Sequence, residues 1–360
     1  MVLSLMSQIS RIFSSLTGSS PGGSSSSGSA KKVVWLTAMI LSIAPVFAGA
    51  CGTLSVPKAD ASKVLVSIPA SGTIVGMPGL GGGTISPLNV GSDPTAMAIS
   101  PNGLELYVVA NGGTQLEIVN LFTRKSLTTL GVGPGAVSVA EAPNNSAVYV
   151  ANSVANSVTV VPLLGTPRVY GSVKVGSDPV QVVVAPNSEM AYVADHADGT
   201  ITQINLITEK AANTYDVGGH PTSIALSTNG GFALVTHPSS GSVSITNLLS
   251  GQAPADVSVG PDPTSIAVEH ATAYVTVAGL NEVVPMNVAT GQVGKPIQLP
   301  GTPKEITVTP VGNKGFVTLP SMNAVAELNL TSGGGSFVKV IKVPGIPAGL
   351  AAGLSNSTIL

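Results

Sequence analysis

The 360-residue sequence predicts an all-β fold, a seven-bladed β-propeller of four-stranded blades closed by a blade shared between the N- and C-terminal strands. Three observations carry this prediction: a short mark recurs about every 42 residues, each interval repeats the same order of segments, and the composition favours short strands. Hydrophobic residues make up 44% of the chain and aromatic residues only 4%, while 42 glycines and 27 prolines supply turns. Such a chain builds its core from Val, Ile, Leu and Ala.

The recurring mark is a short turn sequence that usually ends in proline. It occurs seven times at steps of 40 to 44 residues, a regularity that is typical of repeated structural units. The marks are "VGSDP" (90–94), "VGPGA" (132–136), "VGSDP" (175–179), "VGGHP" (217–221), "VGPDP" (259–263), "LPGTP" (299–303) and "VPGIP" (343–347).

Each repeat contains four apolar segments separated by turn residues. A first segment such as "TAMAIS" follows the mark, and a turn such as "PNG" (101–103) leads to the second. A turn of Gly, Asn and Ser then leads to a third segment such as "QLEIVN", and a fourth returns the chain to the next mark. Four short strands within this period predict one propeller blade per repeat.

The second segments carry the most specific signature. They include "YVVAN" (107–111), "YVAN" (149–152), "YVAD" (192–195) and "YVTV" (274–277). Together with the period and the turns, these motifs make residues 62–360 resemble the YVTN-repeat family of β-propellers. The resemblance implies seven blades and an exported or surface-associated protein. Some similar propellers hold a haem on one face, so the resemblance also leaves a cofactor-binding role open.

The two ends of the repeat region predict how the ring closes. After the last mark, "AGLAAGLSNSTIL" is long enough for one strand and a turn. Before the first mark, the segment that begins "SKVLVSIP" at residue 62 supplies the other three strands of a blade. Joining the two ends gives a seventh blade and removes the free sheet edges of an open array.

The residues before the propeller divide into three segments. Residues 1–30 are a low-complexity N-terminal extension, residues 31–50 an export signal and residues 51–61 a linker, followed by the propeller at 62–360. The signal has a basic pair at 31–32, an uncharged apolar stretch and small residues before Cys51. This order resembles the lipobox of bacterial lipoproteins and implies a diacylglycerol on Cys51, the only cysteine. Cleavage at another position and a retained helix are the alternatives.

Every one of these alternatives places most of the chain outside the cytoplasmic membrane. The lipoprotein interpretation predicts an exported protein, periplasmic or on the cell surface, held at a membrane by the lipid on Cys51.

Propeller geometry predicts that the marks and the ends of the second strands lie on one face. The candidate ligand residues on that face are Asp195, His196, His220 and His237. Imidazole and carboxylate groups bind metals, so one interpretation is a metal or an axially ligated cofactor. The other is that these residues serve turns, because Asp, Asn and His bond to nearby backbone. No metal is assigned, and no cofactor is expected.

The aspartates of the marks have a structural interpretation. Asp93, Asp178 and Asp262 occupy equivalent positions before proline, where a carboxylate can accept backbone N–H bonds and fix the turn. A catalytic residue is usually needed only once, so the repetition favours this structural role.

The sequence argues against several functions. A formal net charge of −2 and the lack of a basic cluster make nucleic acid an unexpected partner. In the segments expected to line the channel, Lys304 and Glu305 are the only charged residues. No GxSxG, HExxH or P-loop spacing occurs, so no catalytic residue is assigned and an enzyme is unsupported.

Two functional hypotheses follow. The first is an envelope-anchored, non-catalytic binding or scaffold module that uses its loop face, with the membrane and a protein or cell-envelope component as partners. The alternative is a metal- or tetrapyrrole-binding redox or hydrolytic accessory protein that uses the histidine-bearing face.

Overall fold

The computed structural model describes residues 62–77, 86–250, 254–310 and 313–354. All of them belong to the second of two compact units, Pro57–Leu360. The extension, the export signal and the linker with Cys51 therefore lie outside the described residues. Within the described ranges, no helix combines the length and the apolar character that crossing a membrane requires.

The strands form seven four-stranded antiparallel sheets, which confirms the predicted seven-bladed propeller. The shared blade consists of β28 (Leu350–Leu354), β1 (Ser62–Ile68), β2 (Thr73–Gly76) and β3 (Leu88–Asn89). Blade 1 is β4 (Met97–Ile99), β5 (Glu105–Ala110), β6 (Gln115–Asn120) and β7 (Lys125–Gly131); blade 2 is β8 (Ala136–Glu141), β9 (Ala147–Asn152), β10 (Ser157–Pro162) and β11 (Gly171–Lys174). Blade 3 is β12 (Pro179–Val184), β13 (Met190–Asp195), β14 (Thr200–Asn205) and β15 (Lys210–Asp216).

The remaining blades repeat this order. Blade 4 is β16 (Ser223–Leu226), β17 (Phe232–His237), β18 (Ser242–Asn247) and β19 (Ala255–Ser258). Blade 5 is β20 (Pro263–Glu269), β21 (Thr272–Val277), β22 (Glu282–Asn287) and β23 (Ile297–Gln298). Blade 6 is β24 (Ile306–Val308), β25 (Lys314–Leu319), β26 (Ala324–Thr331) and β27 (Gly334–Lys342). Three single 3₁₀ turns lie at Pro69–Ser71, Ala278–Leu280 and Pro320–Met322.

The position of a strand in its blade explains its composition. The second strands β9 and β21 are buried along their whole length, and they are therefore mainly apolar, with Asn152 in β9 and Thr272 and Thr276 in β21 as buried polar residues. The outermost strand β15 is almost entirely exposed and carries polar residues and alanine. The four segments of each repeat thus run from the channel to the rim.

The hydrophobic core lies between neighbouring blades. Tyr107 and Val109 of blade 1 pack with Val139, Val148 and Val150 of blade 2, and the other interfaces repeat this arrangement. Because the apolar face of each sheet is covered by the next sheet, one blade alone cannot bury its core.

A belt of hydrogen bonds joins the innermost strands around the channel. In blades 3 to 6 the donor is the backbone N–H of an apolar residue, and the acceptor is a polar side chain in the preceding blade. The bonds are Val182 N–H to Ser138 Oγ (3.2 Å), Ile224 N–H to Gln181 Oε1 (2.8 Å), Ile266 N–H to Ser223 Oγ (3.3 Å) and Ile306 N–H to Ser265 Oγ (3.4 Å).

β-Bulges aim three of these four acceptors across the blade interface. The register shifts between Ala136 and Ser138, and the same shift precedes Gln181 and Ser265. A bulge rotates the following side chain out of the regular alternation of the strand. The acceptor therefore points to the next blade rather than to its own sheet.

The belt continues through the blade that closes the ring. The N–H of Leu350 bonds to the Glu305 carboxyl, and Gly349 N–H donates to Ser67 Oγ at 2.8 Å. Ser67 Oγ in turn donates to the carbonyl oxygen of Thr95 in blade 1 at 3.3 Å. The predicted closure is confirmed here: β28 pairs antiparallel with β1 in the register Val64 to Ala352.

Replacing Gly349 tests how much the ring depends on this closure. A Cβ on residue 349 would lie well inside van der Waals contact with the carbonyl oxygen of Thr95, which is backbone and cannot move aside. We expect Gly349→Ala to lower the free energy of unfolding by about 2 kcal/mol or more, measured by denaturant titration.

Gly131→Ala is the matched control, since a Cβ there meets no atom within 4 Å. We expect it to change the free energy of unfolding by less than about 0.5 kcal/mol. Equal effects of the two substitutions would show that the contact at Gly349 is unimportant.

Candidate functional site

The linkers between blades and the turns after the second strands lie together on one face, here called the linker face. The N–H of the first turn residue donates to a linker carbonyl in the same blade: Asn111 to Ser92, His196 to Asp178 and Ala278 to Asp262. The marks and the ends of the second strands therefore lie on one face, as the sequence predicts.

The aspartates of the marks act through their backbone. Asp93, Asp178 and Asp262 have φ angles of 50°, 53° and 58°, in the left-handed region that Asp and Asn tolerate better than most residues. Among the described residues their carboxylates accept no hydrogen bond. The structural role is as predicted, but the expected carboxylate bonds to backbone N–H groups are not formed, because the backbone conformation itself makes the turn.

A row of buried polar side chains ends the second strands of blades 2, 3 and 4. Each bonds to a hydroxyl of the neighbouring third strand: Asn152 Nδ2 to Thr159 Oγ1 (2.9 Å), Thr202 Oγ1 to Asp195 Oδ2 (2.6 Å), and His237 Nε2 with Ser244 Oγ (2.9 Å). Ala110, Val277 and Leu319 fill the same position in blades 1, 5 and 6. Polar groups of this row are thus confined to three consecutive blades.

This polar row explains the glycine of the Val-Gly mark. A Cβ on Gly176 would lie 2.7 Å from Cγ of Asp195, and one on Gly133 would lie 2.9 Å from Cγ of Asn152. In blade 4 the contact is made by the next residue, Gly219, where a Cβ would lie 3.0 Å from Nδ1 of His237, whereas one on Gly218 of the Val-Gly pair meets no atom within 4 Å. The linker can therefore lie directly over the polar side chain only where it carries no side chain of its own.

The four candidate ligand residues fall into two groups. Asp195 and His237 are buried in the polar row of separate blades, whereas His196 and His220 lie on the surface. Burial lowers the pKa of His237 against an opposing effect of Asp256, which favours the neutral imidazole. The structure therefore brings His196 and His220 together. The side chains of Asp195 and His237 are separate from this pair.

His196 and His220 form a pair of imidazoles from neighbouring blades. Their ring centroids are 5.1 Å apart at an interplanar angle of 35°. His196 Nδ1 contacts the carbonyl oxygen of Pro221 at 3.0 Å, and His220 Nδ1 contacts that of His196 at 3.1 Å. A carbonyl only accepts, so both Nδ1 atoms are donors and the lone pair of each neutral ring is on Nε2. That tautomer is the one a metal-binding histidine needs.

No third metal ligand accompanies this pair. Among the described residues, no group of three or more His, Cys, Asp or Glu side chains is arranged to hold a metal ion. The pair can supply two nitrogen ligands to an ion that keeps its other positions for water or a partner.

The central channel has a volume of about 910 Å³ and is lined by the first strands of all seven blades. Lys304 and Glu305 line it as predicted, and Glu141 is a charged residue that the sequence analysis missed. Glu141 is the last residue of β8 and lies directly before a turn. Its position at the end of a first strand is the signal that could have placed it in the channel.

Two carboxyl groups of the channel lining titrate near neutral pH. Burial, with a smaller contribution from Glu105, raises the pKa of Glu141 to about 7 although Tyr107 bonds to it. Burial also raises the pKa of Glu305 to about 7, against the opposing effects of the Leu350 N–H and Lys304. The channel lining therefore contains one titrating carboxyl group on each of two blades, and the described residues form no catalytic group there.

Comparisons with known proteins identify the fold. No family model matches the chain, and no curated protein matches it. Among solved structures, a protein of unknown function from Desulfotomaculum acetoxidans has a TM-score of 0.70 at 15% identity, covering 82% of this chain and 99% of its own. A Bacteroides fragilis protein to which 6-phosphogluconolactonase activity is ascribed has a TM-score of 0.68 at 16% identity, with the same coverages.

A third similar structure is hydrazine synthase of Kuenenia stuttgartiensis, with a TM-score of 0.64 at 18% identity, covering 73% of this chain and 91% of its own. These proteins differ in what they are said to do while sharing the architecture. At such identities the similarity establishes the seven-bladed propeller and leaves function to the site.

The buried aspartate of the polar row gives a pH-dependent prediction. Burial raises the pKa of Asp195 to about 6, although the hydroxyls of Thr202 and Thr200 lower it. The folded protein therefore holds a proton that the unfolded chain releases near pH 4, and the contribution of Asp195 to stability is lost as pH rises through about 6. Asp195→Asn removes this effect and copies the asparagine that blade 2 has at the same position.

We expect Asp195→Asn to be more stable than the wild type by roughly 2 kcal/mol at about pH 8, and the difference to vanish near pH 4. Denaturant titrations across this range measure it. Asp93→Asn, an exposed aspartate of the same face, is the control. A difference for Asp195→Asn that stays constant with pH would contradict the assigned cause.

Proposed function

We propose that this protein is an envelope-anchored propeller of the YVTN-repeat type that binds a protein or cell-envelope component through its linker face. The propeller fold is compatible with a binding or scaffold module. The lipid on Cys51 is the proposed anchor, and it makes the protein exported and membrane-attached.

One observation carries the binding half of the proposal: the linker face is a set of exposed turns held rigidly at both ends. The linkers are fixed by backbone bonds to the turns beside them, such as His196 N–H to the Asp178 carbonyl oxygen at 2.9 Å. They are supported from below by the polar row, with Thr202 Oγ1 also accepting Gly176 N–H at 3.3 Å. Exposed side chains on rigid turns bind a partner at a low cost in conformational entropy.

The linker face also varies around the ring. Blades 2, 3 and 4 have the polar row, and the adjacent surface has His196, His220 and Asp198. Blades 5 and 6 have Val277 and Leu319 at the row position. The row itself is buried, so a partner meets the exposed side chains beside it. These include His220 and Asp198 near blades 3 and 4 and Leu280 in blade 5, and the difference supports binding in one orientation.

A photo-reactive residue tests this proposal in cells that produce the full chain. We expect a photo-reactive amino acid in place of Val154, on the linker face, to cross-link to one discrete partner. In place of Thr228, on the opposite face, it is expected to give no such adduct. Both positions are exposed, so folding should tolerate the change.

The Cys51→Ser variant tests the anchor in the same cells. We expect this variant to be absent from the washed membrane fraction. The cross-link from position 154 should then no longer form, because the partner is no longer nearby. Equal cross-linking from both faces would contradict the binding proposal. Retention of Cys51→Ser in the membrane fraction would contradict the lipid anchor.

A second candidate function is metal binding by His196 and His220, favoured by the bonds that leave both Nε2 atoms as acceptors. A centroid separation of 5.1 Å suits two imidazoles bound to one ion, because each ring centre lies about 3 Å from a metal on its nitrogen. Cu²⁺ is the ion of choice for a test, since imidazole binds it more tightly than other divalent first-row metals.

We expect the full chain to bind one Cu²⁺ with nitrogen hyperfine structure in its electron paramagnetic resonance spectrum. His196→Ala and His220→Ala should each weaken binding at least about tenfold. His270→Ala, which removes an exposed histidine on the opposite face, is the matched control. Equal affinity in all three variants would exclude this pair as the site.

A further inference from the structure

An arc of exposed apolar side chains lies on the face opposite the linker face. It occupies the turn between the third and fourth strands, at the same position in four consecutive blades. The side chains and their exposed fractions are Phe122 (57%), Leu164 (86%), Ile207 (79%) and Leu249 (87%). Single exposed apolar residues are common, but one per blade over half the ring is a patterned surface. These four residues are called the apolar arc.

The turns that present the arc are rigid in three of the four blades. Asn120 Oδ1 accepts the N–H groups of Phe122 and Thr123, and Asn205 and Asn247 make the same pair of bonds in blades 3 and 4. Leu248, directly before Leu249, is buried, so one leucine holds the turn to the blade while the next points outward. Backbone and packing thus fix the arc residues in exposed positions.

Basic side chains lie beside the arc. Lys125, Arg168 and Lys210 are exposed and follow the arc residues of blades 1, 2 and 3 by three or four positions. The half-buried Glu209 is the acidic residue in these turns. Tyr170, also exposed, adds an aromatic ring with a polar end. Apolar side chains flanked by Lys, Arg and Tyr are typical of surfaces that bind the boundary between lipid headgroups and acyl chains.

The arc lies on the face at which the chain enters the propeller. Residue 62 begins β1 and pairs with residue 354 at the end of β28, and β28 runs away from the linker face. Cys51 precedes residue 62 by eleven positions, and a chain of that length reaches at most about 40 Å. A lipid on Cys51 would therefore keep this face close to a bilayer.

We propose that the apolar arc docks on the membrane that carries the lipid anchor, with the linker face turned toward the partner. This inference rests on the proposed lipid anchor. The arc residues insert into the interface and the adjacent basic side chains contact anionic headgroups. The arc spans blades 1 to 4, whereas blade 5 has Ala289 at the same turn, so the ring docks along one side.

Fluorescence quenching in vesicles tests the inference with the full chain. Vesicles of three parts phosphatidylethanolamine to one part phosphatidylglycerol contain a spin-labelled lipid as quencher. Ile207→Cys and Val154→Cys each receive a thiol-reactive fluorophore. We expect quenching to be roughly threefold or more greater at position 207 than at 154, because only the arc meets the lipid.

A second variant separates insertion of the arc from closeness caused by the tether. Adding Phe122→Ser, Leu164→Ser and Leu249→Ser to Ile207→Cys should reduce quenching to the level of Val154→Cys. All three positions are exposed, so the variant should fold. Quenching that is unchanged by the three serines, or equal at positions 154 and 207, would overturn the inference.

The unsubstituted chain reports separately on the anchor. A lipid-modified Cys51 has no free thiol, so the wild type should take up no fluorophore. If the wild type is labelled but position 207 still shows the larger quenching, the result supports docking by the apolar arc and contradicts the lipid on Cys51. A different outcome is that, without vesicles, position 207 resists labelling by the fluorophore while the protein sediments as a dimer. That result would show that the arc binds a second copy of the chain, and it would overturn the proposal.

Discussion

The antiparallel pairing of β1 with β28 is the interaction on which the rest of the ring depends. The bond between Gly349 and Ser67 joins residues 282 positions apart in the chain. Until this contact forms, the first and last blades leave apolar faces uncovered, because each core cluster needs two neighbouring sheets. The hydrogen bonds of the belt also need two neighbouring blades, since each acceptor bonds to a donor in the next blade. Closure therefore completes the interfaces on both sides of the shared blade, and its entropic cost grows only slowly with the length of the closed loop.

Much of this architecture could be predicted from the sequence because it repeats. The Val-Gly marks and the "YVAN"-type strands recur at one period, so each blade provides independent evidence for the others. The candidate site was less predictable, because it depends on contacts between blades and on local bulges. Nothing in the sequence alone distinguishes buried Asp195 from half-buried His196, its neighbour in the chain. Burial separates them: one side chain lies under Gly176 and the other faces the next linker.

The polar row shows how side chains can differ between blades while the backbone of the repeat stays the same. Asn152, Asp195 and His237 differ in charge and shape, yet each bonds to a hydroxyl on the adjacent strand beneath a glycine. Blades 1, 5 and 6 fill the position with apolar residues. The turn above is kept in all cases by its backbone, including the left-handed φ of Asp93 and Asp262. Side chains on the linker face are thereby free to vary, which is what a binding surface requires.

The two faces of the ring are built from different sets of turns, because neighbouring strands of a blade run in opposite directions. The linker face carries Asp, Asn, Ser and His, together with the exposed apolar residues Val154, Leu280 and Ile346. Turns on the other face include those near the rim, where Ile207 and Leu249 point away from the blade. A ring attached near residue 62 and resting on the apolar arc has its linker face directed away from the attachment.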